Sequence, residues 1–272
     1  MNDIECIAFL QECLPRLRFR WSGFRRVRGQ VCKRLNRRRR ELNLPNLAAY
    51  RKYLEGHPGE WEILDFLCRI TISRFYRNRG VFDALRYRIL PDLAKNVAEA
   101  GRDAVRCWCA GCCSGEEAYT LQIIWKIDVI PKMTKGLPLR IIATDMDPDV
   151  LERARRGVYL EGSLFDLPEE LIAAAFLRSG KTYTLKESFK EDVTFEQQDI
   201  RRQLPVGTFS LVFCRNLVLT YFEKDLQREI LGRIFEKLEP GGIFVAGAHE
   251  RLPNGIDIVF PYDDNVCIFR KA

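Results

Sequence analysis

A glycine-bearing segment near the middle of the chain has the residue types of a small-ligand site. A short apolar stretch, Val105–Ala110, runs into Gly111–Gly115 and then into two acids, Glu116 and Glu117, at the start of a helix. Glycines let the backbone approach a ligand, and doubly wound folds bind nucleotides at such a turn after the first strand. A helix start normally favours pyrophosphate, but two glutamates there suit an ammonium group. The alternative is that both acids only stabilise the helix dipole.

A second segment, Ala143–Pro148, follows the next apolar stretch and contributes further acids. An acid at the tip of the second strand usually accepts hydrogen bonds from ribose hydroxyls. Asp147 or Thr144 could instead cap the following helix, so we assign Asp145 to a ribose and Asp147 to the cap. Together the two segments describe a nucleoside that carries an amino acid in place of phosphate. S-adenosylmethionine fits that description.

The elements that position these residues follow from alternating apolar and amphipathic segments. Strands are expected at Val105–Ala110, Leu139–Ala143, Phe209–Cys214 and Gly242–Gly247, and helices at Tyr119–Val129, Pro148–Gly157 and Leu226–Leu238. This order predicts crossover units on a parallel sheet. Leu164–Asp192 interrupts it, which predicts a small inserted subdomain at about 160–195 with a hairpin around Ser179–Lys181. Val266–Arg270 is expected as a closing antiparallel strand.

The first 90 residues are expected to form a separate, basic, helical domain, followed by an α/β domain over 91–272. Helices are predicted at Met1–Leu14, Gly23–Leu42, Leu47–Glu55, Trp61–Arg69 and Val81–Leu90, the last one stopped near Pro91. Residues 1–90 hold 20 Lys+Arg against 9 Asp+Glu, whereas residues 91–272 hold 24 against 28. Such asymmetry predicts a basic module joined to a nearly neutral one.

The densest basic run, Lys33–Arg40, has two interpretations. One is the solvated face of a helix that buries Val31 and Leu35 on its other side. The other is a docking surface for an acidic protein or for nucleic acid phosphates. Charge alone does not separate them.

Composition favours a globular, cytoplasmic protein. The 272 residues are 47% hydrophobic, but no apolar run reaches the roughly 18–20 residues of a membrane span, so no membrane insertion is expected. Acids stand where a secretory signal carries basic residues. Ten cysteines without regular spacing predict free thiols in a reducing compartment and not a disulfide framework. Cys107, Cys109, Cys112 and Cys113 lie close together, but no histidine is near them, so buried thiols and no metal are expected.

The ordered motifs of the chain resemble the CheR-type protein-glutamate methyltransferases, which esterify glutamate side chains of bacterial chemoreceptors. The matching motifs are Ser73–Arg77, Ala110–Thr120, Ala143–Asp147, Ala154–Tyr159, Phe213–Asn216, Tyr221–Phe222 and Leu238–Gly242. The resemblance implies an α/β, Rossmann-like class I methyltransferase domain with a small inserted subdomain, preceded by an all-helical N-terminal domain. It also implies S-adenosyl-L-methionine as cofactor and S-adenosyl-L-homocysteine as product.

The resemblance also implies the site residues. Cofactor contacts are expected at Thr71, Ser73, Arg77, one of Glu116 and Glu117, Asp145, Asp199, Ile200, Arg215 and Asn216, to which the glycine turn adds Gly111. Arg77 and Tyr221 are implied to lie beside the transferred methyl group as catalytic residues. The chain departs from the family pattern at Thr71 and Asp199, where asparagine is usual, at Ala118, where proline is usual, and by one extra residue between Asn216 and Tyr221.

The expected acceptor is a protein glutamate on an acidic partner such as the cytoplasmic domain of a receptor. A carboxylate is already ionised at neutral pH and needs no general base. Both histidines lie outside the matched motifs, which favours this acceptor. Two alternatives stay open: a methyltransferase acting on a small molecule, and a cofactor-sensing binding protein without turnover. Nucleic acid is not expected as a partner.

Overall fold

The structure is a computed structural model that describes residues 3–134, 136–262 and 267–272. The chain divides into two compact units. The first runs through Thr71 and includes Val218–Arg228; the second comprises Ile72–Leu217 and Glu229–Ala272. The division falls at residue 71 and not at the expected 90, because Phe82, Leu85 and Leu93 pack in the core of the second unit.

The helices of the described residues are numbered along the chain. They are α1 (Asp3–Cys13), α2 (Trp21–Phe24), α3 (Arg28–Glu41), α4 (Leu47–Gly56), α5 (Glu60–Leu67), α6 (Arg79–Ala84), α7 (Leu90–Glu99), α8 (Glu116–Ile124), α9 (Pro148–Arg156), α10 (Glu169–Ala175), α11 (Val218–Tyr221) and α12 (Lys224–Lys237). π-Helical turns over Leu85–Ile89 and Trp125–Val129 continue α6 and α8.

The strands are numbered in the same way. They are β1 (Val105–Ala110), β2 (Leu139–Asp145), β3 (Val158–Leu160), β4 (Phe176–Ser179), β5 (Thr182–Leu185), β6 (Val193–Gln197), β7 (Phe209–Phe213), β8 (Leu238–Val245), β9 (Val259–Pro261) and β10 (Ile268–Lys271).

The first unit is helical and includes a segment from much later in the chain. Phe9 of α1 stacks on Tyr50 of α4, with ring centres 5.7 Å apart. Asn46 caps the start of α4, because its side chain accepts a hydrogen bond from the Ala49 amide. The Arg20 amide donates to the Tyr221 carbonyl oxygen over 2.8 Å. This bond ties the segment of α11 to the first unit.

One cysteine pair contradicts the prediction that all thiols are free. Cys6 of α1 and Cys32 of α3 form a disulfide with their Cα atoms 6.0 Å apart. The other eight cysteines of the described residues are free and buried. The pairing depends on how α1 packs against α3, and cysteine spacing in the sequence does not reveal that packing.

A central sheet in the order β6-β2-β1-β7-β8-β10-β9 organises the second unit. The pairs among its first five strands are parallel, and β10 runs antiparallel to both β8 and β9. β7 is buried along its whole length, and β1 is buried at every residue except Arg106, as expected for central strands of a parallel sheet covered by helices. This is the expected Rossmann-like methyltransferase fold.

The small inserted sheet has the order β3-β5-β4, and all its pairs are antiparallel. β4 and β5 form the expected hairpin, whose turn contains Gly180 at φ +59°. Residues 193–195 were expected in this insertion, but β6 pairs with β2 in the central sheet.

Two further predictions need correction or restriction. Pro91 does not stop a helix, because it stands in the first turn of α7, where its missing N–H costs no helical hydrogen bond. The predicted closing strand corresponds to β10, and Val266 lies outside the described residues. In the part of the chain that the structure describes, no helix has the length and apolar character needed to cross a membrane.

Candidate active site

The candidate site lies at the carboxyl ends of the parallel strands in the second unit. The chain leaves β1 for β2 on one side, whereas β7 pairs on the other side of β1. The crevice at such a switch point is where open α/β sheets bind their ligands. The loops that follow β1, β2, β6 and β7 carry most of the predicted site residues.

The glycine loop after β1 has a left-handed backbone at three positions. Gly111, Cys113 and Gly115 have φ values of +68°, +54° and +85°. A Cβ atom at Gly111 would lie 2.7 Å from Leu217 Cδ2. The backbone conformation of Gly111 therefore favours glycine, and a side chain at this position would also force the Leu217 side chain to shift.

Asp145 joins the glycine loop to the end of β2. Its Oδ2 accepts from the Cys113 amide at 2.9 Å, and its Oδ1 accepts from the Asp147 amide at 3.0 Å. Asp147 caps α9 by accepting from the Asp149 amide, which confirms that half of the predicted division of roles. The ribose contact of Asp145 stays a prediction.

Glu116 is a buried carboxyl group with one oxygen unpaired. It is 5% exposed, and burial raises its pKa to about 7, although a hydrogen bond from Ser73 acts in the opposite direction. Its Oε2 has no hydrogen-bond partner among the described residues. A cationic ammonium group is the partner that such an oxygen lacks, so the residue fits the amino-acid end of S-adenosylmethionine.

Glu117 is already paired, and this separates the two glutamates that the sequence left equivalent. Its Oε1 lies 2.5 Å from Nη1 of Arg215, whose side chain is fully buried. The next residue, Asn216, has φ +53°, and its amide donates to Glu250 Oε2 over 3.0 Å. The same Glu250 oxygen accepts from the Gly247 amide at 2.6 Å.

The loop after β6 places Asp199 and Ile200 at the same edge of the sheet. Ile200 is buried, and the Gln198 amide donates to the Asp145 carbonyl oxygen at 3.0 Å. Both Asp199 oxygens accept from the Arg201 side chain at 2.9–3.1 Å. Burial raises the pKa of Asp199, but the bonds from Arg201 outweigh it, and the pKa lies below its usual value.

Comparison with known proteins decides the family. The domain described as "CheR methyltransferase, SAM binding domain" matches residues 71–263. The chain belongs to the CheR methyltransferase family. It is 32% identical to the chemotaxis protein methyltransferase 2 of Pseudomonas aeruginosa, over 84% of this chain and 80% of that protein. It is 32% identical to the chemotaxis protein methyltransferase of Listeria monocytogenes, over 70% of this chain and 69% of that protein. It is also 30% identical to an uncharacterized 104.1 kDa protein of Rhodobacter capsulatus; the match covers 82% of this chain and 23% of that protein.

In this CheR family member, the predicted catalytic arginine lies in a turn of the second unit. Nη1 of Arg77 donates to the Ile72 carbonyl oxygen over 3.2 Å, and its own carbonyl oxygen accepts from Arg215 Nη2 at 3.1 Å. The contacts of Ser73 with Glu116 and of Arg77 with Arg215 therefore bring the segment 73–77 to the loops after β1 and β7.

Two predicted residues of this CheR chain, Thr71 and Tyr221, belong to the first unit. Thr71 Oγ1 accepts from Arg34 Nη2 at 3.4 Å. The Tyr221 ring lies 5.1 Å from that of Phe24, centre to centre. Their proposed contacts with cofactor and acceptor stay predictions.

Sequence reasoning missed two residues that shape the site of this CheR chain. Glu250 joins the ends of β7 and β8, and Asn78 accepts from Arg215 Nη2 at 2.7 Å. The position of Glu250 after the β8 segment was the available signal, because α/β sites gather there. Asn78 gave no such signal, since an asparagine in a turn is ordinary.

The cysteines near the site of this CheR chain are buried thiols. Cys107 and Cys109 have their Sγ atoms 3.9 Å apart. Within residues 3–134, 136–262 and 267–272, no group of three or more His, Cys, Asp or Glu side chains could hold a metal ion. The expectation of a metal-free site stays a prediction.

Proposed function

We propose that this chain transfers the methyl group of S-adenosylmethionine to the carboxylate of a protein glutamate and releases S-adenosylhomocysteine. The observation that carries the cofactor assignment is the buried, unpaired Glu116 oxygen at the start of α8. The acceptor assignment is supported by relatives named chemotaxis protein methyltransferases. A receptor's cytoplasmic domain as partner would place the protein in the cytoplasm.

The residues of the second unit have distinct roles in this proposal. Glu116 would hold the ammonium group of the cofactor, Asp145 would accept hydrogen bonds from its ribose, and Asp199 and Ile200 in the loop after β6 would also contact it. When bound, the sulfonium supplies an electrophilic methyl group with a neutral leaving group. An acceptor oxygen forms the new O–CH₃ bond while the C–S bond breaks and its electron pair stays on sulfur.

This reaction needs orientation more than acid–base chemistry. The acceptor carboxylate is ionised at neutral pH, and no proton is released. Arg77 would orient the carboxylate by a bidentate pair. Burial raises the pKa of the Cys112 and Cys113 thiols well above their usual value, so both stay neutral and do not compete as nucleophiles.

The basic helix α3 supports an acidic protein partner. Some of its basic residues make contacts within the chain: Arg34 donates to the Leu67 carbonyl oxygen at 3.4 Å, and Arg38 pairs with Glu60 at 2.8 Å. Exposed on the helix are Lys33, Arg37 and Arg40, whose spacing of four and three residues places them on one face. Neither interpretation of the basic run describes Arg34 and Arg38, which make contacts within the chain, and of the two we assign docking to the exposed three.

The test is methyl transfer from labelled S-adenosylmethionine to lysate of the source organism, with protein then separated from small molecules. We expect label on protein that mild base releases as methanol, and we expect Arg77→Ala to reduce it at least 30-fold. Arg79→Ala, which changes an exposed neighbouring arginine, is the matched control. Label only in small molecules, or label stable to base, would contradict the proposal and favour a small-molecule acceptor.

A further inference from the structure

The turn that carries Arg77 has an unfavourable backbone. Tyr76 and Asn78 have φ values of +58° and +67°, in the left-handed region that residues with a Cβ atom seldom adopt. Two bonds hold Tyr76: its amide donates to Thr120 Oγ1 at 3.2 Å, and its hydroxyl donates to Asp83 Oδ1 at 2.8 Å. Such a conformation persists only where surrounding groups enforce it.

A further constraint on the turn comes from the guanidinium of Arg215. Nη2 of Arg215 donates to the Arg77 carbonyl oxygen at 3.1 Å and to Asn78 Oδ1 at 2.7 Å. Nη1 donates to Glu117 at 2.5 Å. The side chain is fully buried, and its Cζ lies 5.4 Å from the centre of the Phe82 ring. One side chain thus joins the end of β7, the start of α8 and both residues after Tyr76.

We propose that Arg215 is a positioning residue that acts through Arg77. Its planar fork fixes the turn so that the Arg77 side chain meets the acceptor in one orientation, while Glu117 balances the buried charge. This inference rests on the proposed function for the reaction that Arg77 serves. This role differs from the predicted direct contact between Arg215 and the cofactor, because both Nη atoms of the side chain already donate to protein acceptors.

Direct contact is the alternative that the experiment must separate. The Nε of Arg215 is buried without a partner among the described residues, so a bound molecule could use it. Arg215→Lys keeps a positive charge near Glu117 but replaces the planar fork by a single nitrogen, which cannot take the positions of both Nη atoms. Arg140→Lys, at an exposed arginine of the same unit that pairs with Asp103, is the matched control.

The first measurement needs no acceptor. In the full chain, hydrogen exchange at residues 76–79 should become at least tenfold faster in Arg215→Lys, and the Kd of S-adenosylhomocysteine should change less than threefold by calorimetry. Unchanged exchange at 76–79 would overturn the positioning role. A Kd raised tenfold or more would establish direct contact. If Arg215→Lys does not fold, Glu117→Gln should also make hydrogen exchange at residues 76–79 faster, by a smaller factor, and should also leave the Kd of S-adenosylhomocysteine within threefold.

The second measurement is a cycle of variants on the rate of base-labile methyl transfer. Arg215→Lys should lower kcat at least 30-fold in the parent chain, but less than twofold in the Arg77→Ala background, because its effect passes through Arg77. Losses that multiply in the double variant would overturn the inference. If the parent chain transfers no methyl group to protein, the proposed function fails, and the exchange and binding results still decide the role of Arg215.

Discussion

The backbone amide of Cys113 donates a hydrogen bond to the Asp145 carboxylate over 2.9 Å. This bond connects the two segments that the sequence identified separately, the glycine loop after β1 and the acid after β2. Cys113 adopts φ +54°, so the carboxylate also stabilises an unfavourable backbone conformation. Asp145 is therefore expected to affect both the shape of the loop and the binding of the cofactor.

Replacing Asp145 with alanine should weaken the binding of S-adenosylhomocysteine at least tenfold. The change removes a charged acceptor from two backbone amides and from the proposed bonds to the ribose hydroxyls, and each charged hydrogen bond contributes about 1.5–3 kcal/mol. Titration calorimetry measures the Kd. Asp149→Ala, at an exposed acid in the first turn of α9, should leave the Kd within twofold. Equal Kd values for both variants would refute the role of Asp145.

The affinity for S-adenosylhomocysteine should rise with pH because of Glu116. Its pKa of about 7 in the free protein means that the carboxyl group is mostly neutral at pH 6 and mostly ionised at pH 7.5. Only the ionised form attracts ammonium, so binding should be roughly eightfold tighter at pH 7.5, with proton release on binding.

Calorimetry in buffers of different ionisation enthalpy measures that proton release. Glu116→Gln should abolish the pH dependence between 6 and 7.5, whereas Glu161→Gln, at an exposed glutamate, should keep it. A pH dependence that survives in Glu116→Gln would assign the titration to another group.

The central sheet was predictable because its strands are short apolar runs that the core requires. β1 matches its predicted bounds, and β2, β7 and β8 differ from theirs at the ends. β6 was missed because only Phe195 is buried along it, so its pattern does not resemble that of a central strand. The sequence of α11 does not indicate that this segment packs with the first unit, because that packing depends on contacts with residues far away in the chain.

The sequence could indicate a candidate site residue wherever a charged residue type follows the end of a predicted strand. Asp145 and the pair Glu116 and Glu117 are examples, because the sequence alone places these acids at strand and helix ends, although their contacts with the cofactor stay predictions. The pairing of Glu117 with Arg215 was not predictable, since it depends on the distance between two loops about 100 residues apart. The left-handed backbone at Tyr76 was equally hidden, because tyrosine seldom adopts it.

Reversing the exposed charges of α3 should impair docking without unfolding the protein. We expect Lys33→Glu, Arg37→Glu and Arg40→Glu together to raise the KM for the protein acceptor at least tenfold at low salt, with less effect at high salt because salt screens exposed charges. The Kd of S-adenosylhomocysteine should not change. Lys95→Glu, at an exposed lysine of α7, is the control. An unchanged KM would exclude this face from docking.

Arg38 has a structural role, although it lies in the same basic run. It pairs at 2.8 Å with Glu60, whose side chain is 4% exposed, and Glu60 also accepts from the Tyr50 hydroxyl at 2.8 Å. Arg38→Ala leaves a buried carboxylate without its cation, which should lower the free energy of unfolding by about 3 kcal/mol. Arg37→Ala, at an exposed site, should cost under about 0.5 kcal/mol. Urea denaturation measures both, and equal losses would contradict the distinction.

The Cys6–Cys32 bond should stabilise the first unit by restricting its unfolded chain. For a sequence separation of 26 residues, loop-closure entropy predicts about 3.5 kcal/mol. Urea unfolding followed in the first unit should therefore shift to lower denaturant on addition of dithiothreitol. The double variant Cys6→Ser, Cys32→Ser should unfold at the reduced midpoint and should not respond to the reductant. The cysteines left in the double variant are free and buried, so that variant has no disulfide for dithiothreitol to reduce. If dithiothreitol shifts its midpoint as much as that of the parent chain, the shift does not come from the Cys6–Cys32 bond.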